Sequence, residues 1–411
     1  MEFESEETLS GNISRRDVLK SAAIGVAAMG MPQKLLSLDA NDQDRAVLEF
    51  NQPPDDARPW VYWYFMDGHL TREGMAADLE AMKKAGLGGG IFLEAGIGIE
   101  PGPVEFMSEP WQELVGLAFS HADRLGLQLA LAAGPGWCGT GGPWVSPDQS
   151  MQHLVASQTV VEGPAAFSAR LPQPPPHTPF FGEDTLSPDL LKTFKEFYRD
   201  EYVLAFPTPA GGASIRDIDE KALYTRGSYS SQIPGPYTKR AWVRPFLPSE
   251  DSYEAVPAER CVASQKVFNL SGKLLPDGTL NWNAPQGSWT ILRFGRTLTG
   301  QTTRPSPKPG LGLESDKFDA GAMDAHFDAY IVSLLKKTGA PQHPGRGLVG
   351  LHFDSWEMSS QNWSPHFQQE FKSRRGYDPV TMLPTFAGLV VDTPEASERF
   401  LWDIRKTAQE L

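Results

Sequence analysis

The chain has 411 residues, 40% hydrophobic and 21% charged, an ordinary soluble profile with length for two or three domains. A net charge of −14 argues against nucleic-acid partners, because phosphate contacts need a basic face. The 11 tryptophans fit either a Trp-rich core or stacking on carbohydrate, and composition alone does not choose between them. The two cysteines, Cys138 and Cys261, make no metal pattern; a single disulfide between them is open to geometry.

The N-terminus reads as an address. Ser14-Arg15-Arg16-Asp17-Val18-Leu19-Lys20 is similar to the twin-arginine export motif, and a weakly apolar run at 22–31 follows it. That run is too short to span a bilayer. No stable membrane insertion is expected after signal cleavage, and the mature protein is expected to be periplasmic or extracellular. Residues 1–45 are therefore assigned to signal and linker.

Residues 46–150 alternate strands with amphipathic helices. A strand at 60–65 leads to a helix at 72–84, capped by Thr71, with Met75, Leu79 and Met82 on one face. Gly86 and Gly88 end it. A strand at 90–94, a helix at 109–125 between Ser108 and Gly126, and a strand at 127–133 follow. This βαβαβ spacing predicts a parallel sheet. Residues 151–290 are dense in Pro and Gly, with short alternating runs and turns, and read as an inserted antiparallel β domain carrying one short helix at 189–198. From 291 to 411 the α/β texture returns. It comprises a strand at 291–296, a long helix at 316–337, a strand at 348–353, a helix capped by Ser364, and a last helix capped by Thr393. The expected fold is α/β, a (β/α)8 TIM-type barrel that is incomplete. About five strands are present, and the two α/β stretches total less than the roughly 250 residues of a full barrel. A truncated barrel would leave an open sheet edge after the 348–353 strand.

Strand ends carry the chemistry in such a fold. Asp67 and His69 follow the first strand, Glu94 ends the second, and Trp137 and Trp144 lie in the Gly-rich loop after the third. The apolar run Leu348, Val349, Leu351 ends in Asp354-Ser355-Trp356-Glu357, two carboxylates and an indole. Sugar chemistry uses carboxylates as acid and base, and an aromatic face suits a pyranose. Plainer roles stand beside these: His69 as a turn stabiliser, Trp356 as core, Glu314 and Asp316 as first-turn acids of a helix. Calcium could be held by carboxylates and carbonyls drawn from Glu314, Asp316, Asp354 and Glu357. No His-x-x-x-His pair, GxSxG elbow, P-loop or dinucleotide fingerprint is present.

With those residues placed, the chain resembles glycoside hydrolase family 106, whose activity is α-L-rhamnosidase. The resemblance rests on Pro53-Pro-Asp-Asp-Ala-Arg-Pro-Trp60, Met66-Asp-Gly-His-Leu-Thr71, Asp78-Leu-Glu-Ala-Met-Lys-Lys-Ala-Gly86, Gly136-Trp137, Gly141-Gly-Pro-Trp144 and Gly312-Leu-Glu-Ser-Asp-Lys317. It continues in Asp354-Ser-Trp-Glu357, Gln361-Asn-Trp363 and Phe371-Lys-Ser-Arg-Arg-Gly-Tyr377. It implies a β/α barrel with added β domains, calcium at the sugar site, and hydrolysis with inversion of terminal α-L-rhamnosides from polysaccharides or glycosides. On that resemblance Glu357 is the general acid, Asp354 orients it, and Glu314 binds sugar or, with Asp316, metal. Asp67, His69, Glu94, Trp137, Trp144 and Trp356 line the substrate site. The family's barrel continues beyond the equivalent of Leu411, so the general base is expected in that continuation. The alternative is a non-catalytic carbohydrate-binding fragment of such an enzyme.

Overall fold

The computed structural model describes residues 40–51, 57–225, 253–339, 343–354 and 358–411. The twin-arginine segment, Trp356 and Glu357 lie outside the described residues. In chain order the elements are α1 (Ala40–Asn51), β1 (Trp60–Met66), α2 (Arg72–Lys84), β2 (Gly89–Ala95), α3 (Glu109–Leu125), β3 (Gln128–Ala132) and β4 (Gln152–Arg170). Then come α4 (Pro188–Glu196), β5 (Arg199–Pro207), β6 (Phe268–Asn269), β7 (Thr279–Leu298), α5 (Ala320–Phe327), α6 (Ser333–Thr338), β8 (Gly347–His352), α7 (Phe367–Arg375) and α8 (Pro394–Glu410). The first of these, α1, belongs to a separate N-terminal unit and carries an Arg45–Glu49 pair one helical turn apart. Among the described residues no helix is long and apolar enough to cross a membrane.

The βαβαβ reading gives a parallel sheet of order β1-β2-β3-β8. Helix starts follow local chemistry. Thr71 accepts from the Gly74 amide, and Ser108 from the Trp111 amide, while Gly126 closes α3 in the left-handed region. One face of β1 sends Trp63 and Phe65 into a core with Leu79, Phe92, Trp111 and Phe119. On the other face Tyr62 and Tyr64 remain 48% and 41% exposed. Parallel sheets are normally covered on both sides. Among the described residues this one is covered by α2, α3 and the α5–α6 segment on one face, and β8 stands at its edge. No closed (β/α)8 barrel is formed among the described residues; the architecture is mixed α/β, with one parallel and one antiparallel sheet.

The second sheet is antiparallel, of order β4-β7-β5-β6. Its two longest strands pair from Gln152↔Leu298 to Arg170↔Thr279. The Ile291 to Arg296 run, read from sequence as a barrel strand, lies inside β7 of this sheet. Its apolar residues are continuous because both faces are covered: Ile291 joins a core with Trp282 and Trp289, while Leu292 and Phe294 join Trp363, Phe371 and Phe400 beneath α7 and α8. A strand buried on both faces loses its alternation and looks parallel in sequence.

Two further expectations change. The helix expected over 316–337 starts at Ala320, where Asp319 caps the Gly321 amide, and passes through a π turn at 328–332. Asp316 therefore lies before the helix and accepts from its own Phe318 amide in a local turn. The cysteines are both free and buried, in different packing clusters, so no disulfide joins them. Trp363 is 1% exposed, packs on Phe367, and stands opposite Gln152 at the start of β4. Trp363→Ala is expected to destabilise the fold by about 3–5 kcal/mol, read as a lower urea midpoint by circular dichroism.

Candidate functional site

The carboxyl ends of β1, β2 and β3 are tied together by main-chain and side-chain bonds. After β1 the backbone turns through Asp67 and Gly68, both left-handed. Asp67 accepts the Ile97 amide on Oδ2 at 2.8 Å, and His69 Nε2 meets the Glu100 carbonyl at 2.9 Å. Both side chains brace the loop that follows β2. Glu94 is 3% exposed and lies between two donors, the Gly68 amide at 2.9 Å and the Trp111 indole N–H at 2.6 Å. Burial raises its pKa to about 7, against the pull of those two hydrogen bonds and with some help from Asp67. A cleft of about 530 Å³ opens beside these residues, lined by Asp67, Glu94, Ile99, Phe106, Ser306 and Lys308.

The Gly-rich loop after β3 is threaded against the segment that follows β7. The Gly136 amide donates to the Glu94 carbonyl at 2.9 Å and the Trp137 amide to the Arg304 carbonyl at 3.3 Å. A Cβ on Gly136 would lie 2.4 Å from the Pro305 oxygen, and its φ is +74°, so the position requires glycine. The structure separates the two tryptophans of this loop. Trp137 is 39% exposed. Trp144 stacks on Tyr330, with centroids 5.6 Å apart, and donates to His326 Nδ1 at 3.0 Å. Since Nδ1 accepts, His326 carries its proton on Nε2 and donates it to the Ala133 carbonyl at 2.8 Å. Burial lowers the pKa of His326 and keeps it neutral. Nothing in the sequence marked His326, a lone histidine within a helical run.

Glu314 and Asp316 are both fully buried. Glu314 Oε2 accepts from Lys317 Nζ at 2.6 Å and Thr140 Oγ1 at 3.3 Å. Asp316 Oδ1 accepts from Gln361 Nε2 at 2.5 Å and the Phe318 amide at 2.8 Å, while burial raises its pKa. Among the described residues, Glu314 Oε1, Ser315 Oγ and Asp316 Oδ2 have no hydrogen-bond partner. Hard oxygen atoms buried without partners are the donor type calcium takes, though it needs six to eight of them. Lys317 already balances Glu314, and no group of three or more His, Cys, Asp or Glu side chains stands ready for a metal ion among the described residues.

At the end of β8, Asp354 Oδ2 lies 3.4 Å from His352 Nε2, and Tyr62 Oη lies at the same distance from that nitrogen. Tyr62 and Tyr64 stack at 5.4 Å, and burial, then Asp354 and Tyr62, raise the pKa of Tyr64. Of this Tyr62–Tyr64–His352–Asp354 group the sequence singled out Asp354 alone; Tyr62, Tyr64 and His352 were missed. The alternation in Trp60-Val-Tyr-Trp-Tyr was the available signal. Asp67, His69 and Glu94 form a further group around the loop after β2. The chain just past Glu357 is held firmly. His153 Nε2 donates to the Ser360 carbonyl at 2.9 Å, and Asn362 accepts the Leu154 amide at 2.7 Å while donating to the Ala222 carbonyl at 2.8 Å.

Glu94 binds its proton more tightly folded than unfolded. Its contribution is therefore fully present below the ordinary glutamate value of 4.5 and is lost as pH rises through about 7. Native stability should fall by up to roughly 3 kcal/mol across that interval from this group. In Glu94→Gln the slope should flatten, as measured by urea unfolding at a series of pH values.

The α-L-rhamnosidase family pattern matches residues 51–411. A Formosa agariphila protein named "Putative beta-glucuronidase" is 35% identical over 362 residues, covering 88% of this chain and 28% of the relative. The solved rhamnosidase of Novosphingobium sp. PP1Y superposes with a TM-score of 0.71 at 27% identity, over 88% of this chain and 44% of that one. The chain thus spans less than half the length of either protein. The match along nearly the whole described chain shows that it belongs to the α-L-rhamnosidase family, glycoside hydrolase family 106.

Proposed function

We propose that this chain carries the acid side of an exported glycosidase that removes terminal α-L-rhamnosyl groups from a rhamnose-containing glycan with inversion. Glu357 is the general acid, Asp354 orients it, and the four parallel strands are one arc of a β/α barrel. The observation that carries the reading is the position of Asp354. It lies at the carboxyl end of β8, immediately before the Glu357 segment, in a chain of the α-L-rhamnosidase family. The uncovered face of the parallel sheet, with Tyr62 and Tyr64, supports the arc, since a barrel interior is filled by side chains from all its strands. Inversion needs a base across the sugar, with carboxyls about 6.5–9.5 Å apart. Export rests on the twin-arginine motif at Arg15-Arg16.

Calcium belongs to the same proposal, with Glu314 and Asp316 as ligands through the oxygens that lack partners among the described residues. Bound there it would neutralise buried carboxylate charge and offer coordination to sugar hydroxyls. Calcium should raise the melting temperature of the native chain and chelation should lower it. Glu314→Gln with Asp316→Asn should abolish the shift, checked by differential scanning fluorimetry.

A second reading, a carbohydrate-binding fragment without catalysis, is favoured by one observation. Glu94, Glu314 and Asp316 are all buried and hydrogen-bonded, so none of these three is placed as an accessible base. Hydrolysis of nitrophenyl α-L-rhamnoside separates the two. Turnover that Glu357→Gln reduces by at least about a hundredfold, in line with the loss of a general acid, supports the first reading. Full activity in that variant removes Glu357 from the mechanism. Sugar binding without turnover in either protein supports the second reading.

A further inference from the structure

Arg304 is the charged group of this region with no evident task. Its backbone is fully used: the carbonyl accepts from Trp137, and the amide donates to Cys138 Sγ at 3.1 Å. Cys138 in turn lies against the Glu314 carboxylate. The Arg304 main chain is therefore bolted to the loop after β3, one side chain removed from Glu314. The guanidinium is half-buried and sits over the Phe181 ring, 4.3 Å from its centroid. Among the described residues it makes no ion pair and no side-chain hydrogen bond. Arg293 and Arg296, only a few residues earlier, each hold a carboxylate, on Asp200 and Glu201. The chain has 51 acidic residues against 37 basic ones, so the lack of a partner does not come from a shortage of acids. A guanidinium presents five donors in a planar fork matched to oxyanions, and partly desolvated charge is costly unless it is paired. The ring beneath it holds one face of the guanidinium, and the fork of N–H donors lies in the plane perpendicular to that contact.

We propose that Arg304, braced by Phe181, is an anion subsite that binds a carboxylate or sulfate group carried by a sugar residue of the glycan. The proposal rests on the carbohydrate-binding face argued above, and it makes the substrate an acidic glycan. Exposed aromatic surface at Phe181 and Trp137, 38% and 39%, flanks the same loops and suits the apolar face of a pyranose.

The test is titration calorimetry of the full chain with glucuronate, glucose 6-sulfate and glucose, which differ at one position of the ring. Glucuronate, glucose 6-sulfate or both should bind about tenfold more tightly than glucose, the scale of a charge-assisted contact. The tighter of the two anionic sugars identifies the group as carboxylate or sulfate. In Arg304→Gln the preference should vanish to within about twofold, and Arg304→Lys should retain part of it because it keeps charge without the fork. Equal affinity of the native protein for all three sugars overturns the subsite, as does a preference that survives Arg304→Gln. Nitrophenyl α-L-rhamnoside hydrolysis, run in parallel, keeps the two readings apart. Turnover without anion preference sinks the subsite alone, and anion preference without turnover sinks the catalytic reading alone.

Discussion

The close approach of the Arg304–Pro305 backbone to the loops after β2 and β3 is the constraint on which the rest of this face depends. Gly136 meets the Pro305 oxygen at a distance that admits no side chain. The Gly96 and Trp137 amides donate to the Pro305 and Arg304 carbonyls. Three strand ends and the segment leading to Glu314 are thereby locked into one surface. Buried main-chain groups need partners, and here each loop supplies them to the next. A side chain at Gly136 would part the loops and leave those groups without bonds.

That surface holds acidic groups in different states because their partners differ. Glu94 faces two N–H donors in a buried setting, and the balance of hydrogen bonding against desolvation leaves it near neutrality. Glu314 has a lysine ammonium and the Thr140 hydroxyl on one oxygen and, among the described residues, no hydrogen-bond partner on the other. Asp316 is held by an amide side chain and its own turn. Asp354 lies in the Tyr62–His352 group, more open to solvent than the other three. Breaking one member of a buried pair costs more than the pair contributes, because the remaining charge is left alone. The fold therefore tolerates these acids only where partners are supplied from distant parts of the chain.

Much of the α/β part was legible. Thr71, Ser108, Gly126 and Thr393 act on amides and carbonyls within a few residues, so the helix ends they predict are local matters. The strand from Ile291 was not legible as antiparallel. Burial on both faces erased its alternation, and only pairing with β4, more than a hundred residues away, assigns it. Asp316 looked like a first-turn acid, but the nearby Asp319 competes for the same role and wins it. Trp137 and Trp144 are equivalent in sequence. Tyr330 and His326 bury one of them and leave the other exposed.

By itself the sequence determined which residues end which strands, where the helices of the parallel sheet begin, and the family to which the motifs belong. Those follow from short-range backbone chemistry and from the order of residues along the chain. The tertiary structure decided which acids are neutralised, which indole is exposed, which strands share a sheet, and that Arg304 has no counter-charge among the described residues. Such properties depend on partners brought together across long separations, as when Thr140 reaches Glu314, 174 residues away, and burial makes each of those contacts count.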